Sequence, residues 1–311
     1  MGEIEVHMTS PSHLVAVLFV LPFIWSCAKA PLPDADNMED TIQNKEIIPI
    51  YTLKGICQLS SFGAAPFSSN AQGMDIFDDR FLFQTGTEDR TIHIVDLENK
   101  KAIGSLAFSV PNNEGAHMNN INCGLKLSEI DQFPLLYISQ TGGSHSCFVI
   151  RINNDAQTYE LIQTIKYIGK NHYLKNSPYD WFIDLENNLL YSYGYYNGNR
   201  LIREIMKFNL PPITSSTIMY SDDDIIDSFV LENQSIYQGS KIIDGLLYTP
   251  VGAGSALYPS RLIIIDLKKK EVYDDIPLAC GEPESIGRYK SGAIIGTGGW
   301  DPFYYFISLT E

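Results

Sequence analysis

Eight polar or aromatic residues carry most of the chemistry this chain offers: Gln72, His117, Asn120, Tyr179, Asp180, Gln238, Glu282 and Glu284. Amides, an imidazole, a phenol and carboxylates can together hydrogen-bond a sugar or another small polar ligand. Nearby aromatic residues, among them Trp181, Tyr195, Tyr258, Trp300 and Tyr304, add flat apolar faces with polar edges. Asp75, Asp180, Glu282 and Glu284 also include candidates for a hydrolytic pair. In such a pair one carboxyl protonates the leaving oxygen and the other acts as base or nucleophile. No motif specifies a reaction. There is no Gly-x-Ser-x-Gly elbow, and the Gly-rich stretches 139–146 and 296–301 lack the Lys-Ser/Thr and helix that a phosphate loop needs. The residues therefore read as a non-catalytic binding site, and no catalytic residue is assigned. A glycan-active hydrolase and a protein-binding scaffold are the alternatives.

Metal and thiol chemistry is thinner. No cofactor is expected, although a calcium ion held by converging carboxylate and amide oxygens would suit hard-cation chemistry. The run Ser221-Asp222-Asp223-Asp224 lacks the ordered spacing of a cation loop and reads as a solvated turn. Cys57, Cys123, Cys147 and Cys280 include no Cys-x-x-Cys pair, so they read as small buried hydrophobes. Their spacing selects none of the three full pairings that an oxidising compartment would allow. His93 alternates within a strand pattern and reads as packed rather than ligating.

The eight residues are far apart in sequence, so the fold has to gather them. Beyond residue 45 the chain shows short strands and little helical periodicity. One unit recurs: a polar or Gly-containing start, a short strand, an aromatic-rich strand ending near Gly, an aliphatic strand and an outer strand. Its starts fall at Gln72, His117, Tyr179, Gln238 and Glu282, spaced by 45, 62, 59 and 44 residues. Val95-Asp96-Leu97 and Ile265-Asp266-Leu267 close equivalent strands, each before a Lys-rich turn. Four-stranded propeller blades have about this length. The last unit runs out after three strands, and the stretch 46–53 (EIIPIYTL) is free to supply the fourth and close the ring. The expected fold is all-β, a propeller of five four-stranded blades over residues 46–311. Six blades is the alternative, if 155–178 and 211–236 hide further strands. Blade starts converge on the propeller axis, which is why the eight residues form one candidate site.

The charge and the N-terminus speak to location. Lys and Arg number 22 against 37 Asp and Glu, a net charge of −15, which repels phosphate backbones and argues against nucleic-acid binding. Residues 14–25 (LVAVLFVLPFIW) form an uncharged apolar run too short to span a bilayer as a helix but suited to an export signal. The run leads into Ser26-Cys27, which resembles a bacterial lipobox. That resemblance implies a signal peptide over 1–27, lipid on Cys27 and a membrane partner through that lipid. Residues 28–45, rich in Pro and acids, read as a flexible tether.

Two stretches carry a wider resemblance. AQGMDIFDD (71–79), and GEPESIGRYKSGAIIGTGGWDPFYYFI (281–307) with its Glu-Pro-Glu start, resemble the first and last blades of envelope-associated propellers. That group includes phage receptor-binding and teichoic-acid-linked propellers, and exported propeller lipoproteins of Gram-negative bacteria. Ser285 stands where the group's pattern has Gly. The resemblance implies an exported lipoprotein of the cell envelope, at the outer membrane, that binds a glycan or a surface protein.

Overall fold

The computed structural model describes residues 53–87, 90–109, 117–141, 146–169, 180–196, 199–214, 216–232 and 237–309. The chain enters with β1 (Lys54–Gln58) and a short 3-10 turn at Leu59–Phe62. Blade one then follows as β2 (Ala71–Phe77), β3 (Phe81–Gly86), β4 (Thr91–Asp96) and β5 (Lys101–Ala107). Blade two is β6 (His117–Cys123), β7 (Leu135–Thr141), β8 (Cys147–Ile152) and β9 (Tyr159–Tyr167). Blade three is β10 (Asp180–Asp184), β11 (Leu189–Tyr196) and β12 (Asn199–Asn209); its outer strand comes after β13 (Thr217–Tyr220) and is β14 (Asp227–Glu232). Blade four is β15 (Lys241–Ile243), β16 (Leu246–Val251), β17 (Arg261–Asp266) and β18 (Glu271–Pro277). Blade five is β19 (Pro283–Tyr289), β20 (Gly292–Thr297) and β21 (Phe303–Ser308), completed by β1. The protein is a five-bladed β-propeller. Among the described residues no helix is long and apolar enough to cross a membrane.

The middle strands of blades one, two and four are buried on both faces, so they read as apolar runs rather than alternations. RLIIID in β17 and FLFQTG in β3 are examples. Blade faces pack on one another, and an apolar cluster fills each of the five interfaces. Phe83 and Ile94 meet Ile121 and Phe148 between blades one and two. Trp181 and Phe208 meet Tyr137 and Val149 between two and three. Phe182 and Tyr193 meet Leu247 and Ile263 between three and four. Leu262 and Ile264 meet Ile286 and Ile295 between four and five. Met74 and Leu82 meet Ile294 and Tyr304 between five and one. Each such side chain, fully buried, contributes about 1.5–3 kcal/mol, so these clusters outweigh the exposed ion pairs. Asp96, Asp184 and Asp266 end strands in blades one, three and four, and each accepts a backbone N–H from the following turn. The likeness of 95–97 to 265–267 is therefore a shared turn motif.

The two long stretches do not build a sixth blade. β13 leaves blade three and pairs parallel to β9 on the outer edge of blade two, and β14 returns to finish blade three. The acidic run beside β13 forms a 3-10 turn in which Asp224 caps Ser221 and Asp222 accepts from the Tyr167 hydroxyl. Ring closure by an early strand holds, but the strand is Lys54–Gln58, pairing Lys54 with Phe306 and Gln58 with Phe303. Apart from Leu53, which packs in the cluster between blades four and five, the expected segment 46–53 lies outside the described residues. The closing strand is mostly exposed, so its sequence (KGICQ) carries little apolar signal. All four described cysteines are free; Cys123 and Cys147 are buried, and burial pushes all four thiols up. His93 packs 4.4 Å from the Phe67 ring, as a core histidine would.

At the axis the inner strands nearly touch. A Cβ on Gly73 would lie 2.4 Å from the Asn120 Cα, and one on Gly287 would lie 3.2 Å from the Ile76 nitrogen. Gly73→Ala should therefore destabilise the protein by about 1–3 kcal/mol, because a backbone atom blocks the new methyl and the ring must open to admit it. Urea unfolding checks this, and an unchanged midpoint would refute the close approach. Removing residues 1–58 should lower the thermal midpoint by several degrees relative to removing 1–52, since only the longer deletion strips β1 from blade five.

Candidate functional site

Three inner strands carry a β-bulge near the same end. In β2, Gln72 and Gly73 together face one partner residue, between the pairs Ala71 with Gly86 and Met74 with Gln84. In β6 the extra residue is Asn119, and in β19 it is Glu284. A bulge breaks the alternation and re-aims side chains, so Gln72 and Glu284 reach the mouth of the propeller. The backbone groups freed there find partners on the second strand. The Gln84 amide donates to the Gln72 carbonyl at 2.7 Å, and the Thr85 hydroxyl donates to Gly73 at 3.0 Å and Met118 at 3.2 Å.

Five of the eight expected residues line one open cup of about 410 Å³: Gln72, His117, Gln238, Glu282 and Glu284. Ser68, Ser69, Asn70 and Thr87 add polar groups, and Trp300, 71% exposed, stands at the rim. Blades one, two and five contribute inner-strand residues, and blade four contributes Gln238 from the segment just before β15. Blade three would contribute Tyr179, which lies outside the described residues. The Gln238 amide donates to Glu282 at 3.3 Å, and the hydroxyl of Tyr193 donates to the Gln238 carbonyl at 2.9 Å. Partial burial raises the Glu282 pKa. Burial raises that of Glu284 well above the usual range; the Glu282 charge adds to this, and Gln72 opposes it. Glu284 is 3% exposed, and its Oε2 accepts no hydrogen bond among the described residues.

Asn120 and Asp180 lie beneath the cup. Asn120 is 1% exposed and its amide donates across the axis to the Ser240 carbonyl at 2.9 Å. It seals the axis instead of lining the mouth, because the inner strands pack too closely to leave a channel there. Asp180 is fully buried. Ser139, Asn119 and Tyr193 surround its carboxylate, but no contact closes with good hydrogen-bond geometry. Burial therefore dominates and lifts its pKa to about 7. Asp75 is occupied: it accepts from the Cys123 amide at 2.6 Å and from Lys241 at 2.5 Å near the opposite mouth. Of the four carboxylates considered for catalysis, only Glu282 and Glu284 face the cup. Among the described residues no group of three His, Cys, Asp or Glu side chains is arranged to hold a metal ion.

Sequence reasoning missed the layer that supports the cup. Gln84, Thr85, Ser139, Gln140, Tyr193 and Thr249 are all buried, and all lie near the end of a second strand. Polar residues recurring at that place in apolar strands were the available signal.

Asp180 binds its proton more tightly in the folded state, where its pKa is about 7, than at its ordinary value of 3.8. The stabilisation is complete below about pH 4 and is lost as the pH rises through 7. Asp180→Asn mimics the protonated acid. It should flatten the stability profile between those pH values and exceed the parent above pH 7. Glu282 and Glu284, whose shifts have the same sign, contribute to the slope that remains. Parallel profiles for parent and variant would refute the assignment.

No protein-family model matches this chain, and no curated protein matches it. Among solved structures it is similar to the Kuenenia stuttgartiensis hydrazine synthase, at 12% identity and a TM-score of 0.41, covering 72% of this chain and 61% of that one. It is similar to Myxococcus xanthus glutaminyl cyclase at 12% identity and a TM-score of 0.47, covering 83% and 96%. It is also similar to the tail fibre of Staphylococcus aureus phage P68 at 16% identity and a TM-score of 0.50, covering 84% of this chain and 54% of that chain. At 16% identity the likeness to the tail fibre bears on the fold alone.

Proposed function

We propose that the protein is a ligand-binding propeller whose cup takes a glycan or a similar small polar ligand, without catalysis. One observation carries the reading: residues from four blade starts line a single open polar cup with an exposed indole at its rim. Amide, hydroxyl and carboxyl groups there match sugar hydroxyls, and the indole offers an apolar face for a ring. We further propose that the chain is exported and held at the cell envelope by lipid on Cys27. The support is the apolar run 14–25 leading into Ser26-Cys27, followed by the polar stretch 28–45. One acyl chain anchors weakly, so the mature N-terminus is expected to carry more than one.

A second reading, glycan hydrolysis, draws on one specific observation. Glu282 and Glu284 share the cup and both have raised pKa values, and a general acid needs such a shift. Incubating any bound glycan with the parent protein and following its cleavage separates the two readings.

The binding reading is tested with a glycan array and the full-length chain. Trp300→Ala and Glu282→Gln should each weaken a hit about tenfold while leaving the thermal midpoint unchanged. Trp300 is mostly exposed and Glu282 packs in no apolar cluster, so neither change opens the core. Affinity that survives both substitutions would place the ligand elsewhere.

A further inference from the structure

We infer that the cup selects a sugar bearing a free ammonium group, and that Glu284 receives that charge. The inference rests on the cup being the binding site and names its ligand class. It begins from how this protein treats buried carboxylates. Asp75, fully buried, has Lys241 at 2.5 Å. Asp96, 3% exposed, has Arg80 at 2.8 Å, and Asp131, also 3% exposed, has Arg151 at 2.5 Å. Glu284 is as buried as these, yet no cation accompanies it among the described residues, and its Oε2 has no hydrogen-bond partner. Asp180 and Asp184 also lack a cation among the described residues, but Asp180 is sealed beneath the cup and both oxygens of Asp184 accept from Asn187. Glu284 lines the open cup, so a ligand seated there lies against it.

The rest of the cup suits a cation. Its described lining contains no Lys or Arg, and Glu282 adds a second carboxyl whose Oε1 is held by Gln238. His117 is the one described lining group able to carry positive charge, and it sits on the exposed end of β6. Gln72 lies beside Glu284, and Gly298 faces its Oε1, where a Cβ would come to 3.0 Å. A larger residue at 298 would crowd that oxygen. Trp300 adds an aromatic surface, which attracts cations as well as sugar rings.

With the cup empty, burial and the Glu282 charge favour a protonated Glu284. An arriving ammonium reverses that preference, because an opposite charge at close range favours the carboxylate. The carboxyl O–H bond breaks, its electron pair stays on the oxygen, and the proton passes to solvent. Binding therefore releases up to one proton per site.

The test is titration calorimetry of the full-length chain with a glucosamine trisaccharide and with its N-acetylated counterpart. The two differ in charge at the amine. The runs are made at about pH 6, where an amine stays protonated, and in about 0.15 M salt, where long-range attraction is screened. Two buffers of different ionisation enthalpy report the proton count. The expected result is at least about tenfold tighter binding of the amine form with net proton release. Glu284→Gln, close in shape to the protonated acid, should bring the two affinities within about twofold and abolish the release. His117→Asn should leave the release in place. Loss of the release in His117→Asn together with its persistence in Glu284→Gln would assign the proton to the imidazole and overturn the inference. Equal affinities, or preference for the acetylated sugar, would overturn the inference while the cup remains a sugar site. Binding of neither trisaccharide would overturn it as well, with the wider glycan array then judging the cup. An amine preference that persists in Glu284→Gln and fades with salt would assign it to the overall charge of −15 and also overturn the inference.

Discussion

The structure turns on how closely the five inner strands approach the axis. Gly73 brings β2 against the backbone of β6, Gly287 brings β19 against β2, and the Gly239 amide bonds the Glu284 carbonyl at 2.9 Å. Asn120 spans the axis there, its side-chain amide donating to the Ser240 carbonyl. The result is a propeller with two separate mouths instead of a bore. That separation gives each carboxylate its chemistry. Asp75 belongs to one mouth and is neutralised by Lys241, Asp180 is entombed between the mouths, and Glu284 faces the other.

The bulges follow from the same constraint. An inner strand that must lie against its neighbours cannot also point alternate residues evenly at both blade faces. One extra residue in each of β2, β6 and β19 resolves the conflict by breaking the ladder close to the cup. The polar ends of the second strands then satisfy the interrupted backbone. The buried polar layer is thus a consequence of tight closure, and its hydrogen bonds fix the inner strands in register.

Much of this was legible in the sequence. The repeat was readable because blades one and four pack their third strands on both faces, which forces the aliphatic runs TIHIVD and RLIIID. The convergence of Gln72, His117, Gln238, Glu282 and Glu284 followed from the symmetry of blade starts. Depth along the axis did not. Asn120 and Asp180 stand as near to blade starts in sequence as Gln72 does, and only the bulge register separates those that face out from those that are sealed in. β1 and β14 also escaped detection, since exposed outer strands lack an apolar signature; their burial patterns alternate or stay open to solvent.

The closing strand has a consequence in time. β1 is the first strand of the propeller to be made, yet its partner β21 is the last of the propeller's strands. Until then blade five has no outer strand and the ring has no end. The chain cannot complete its fold vectorially, blade by blade, behind the ribosome. The ring stays open until β21 has been made, so the five blades gain their closed arrangement together and not one after another.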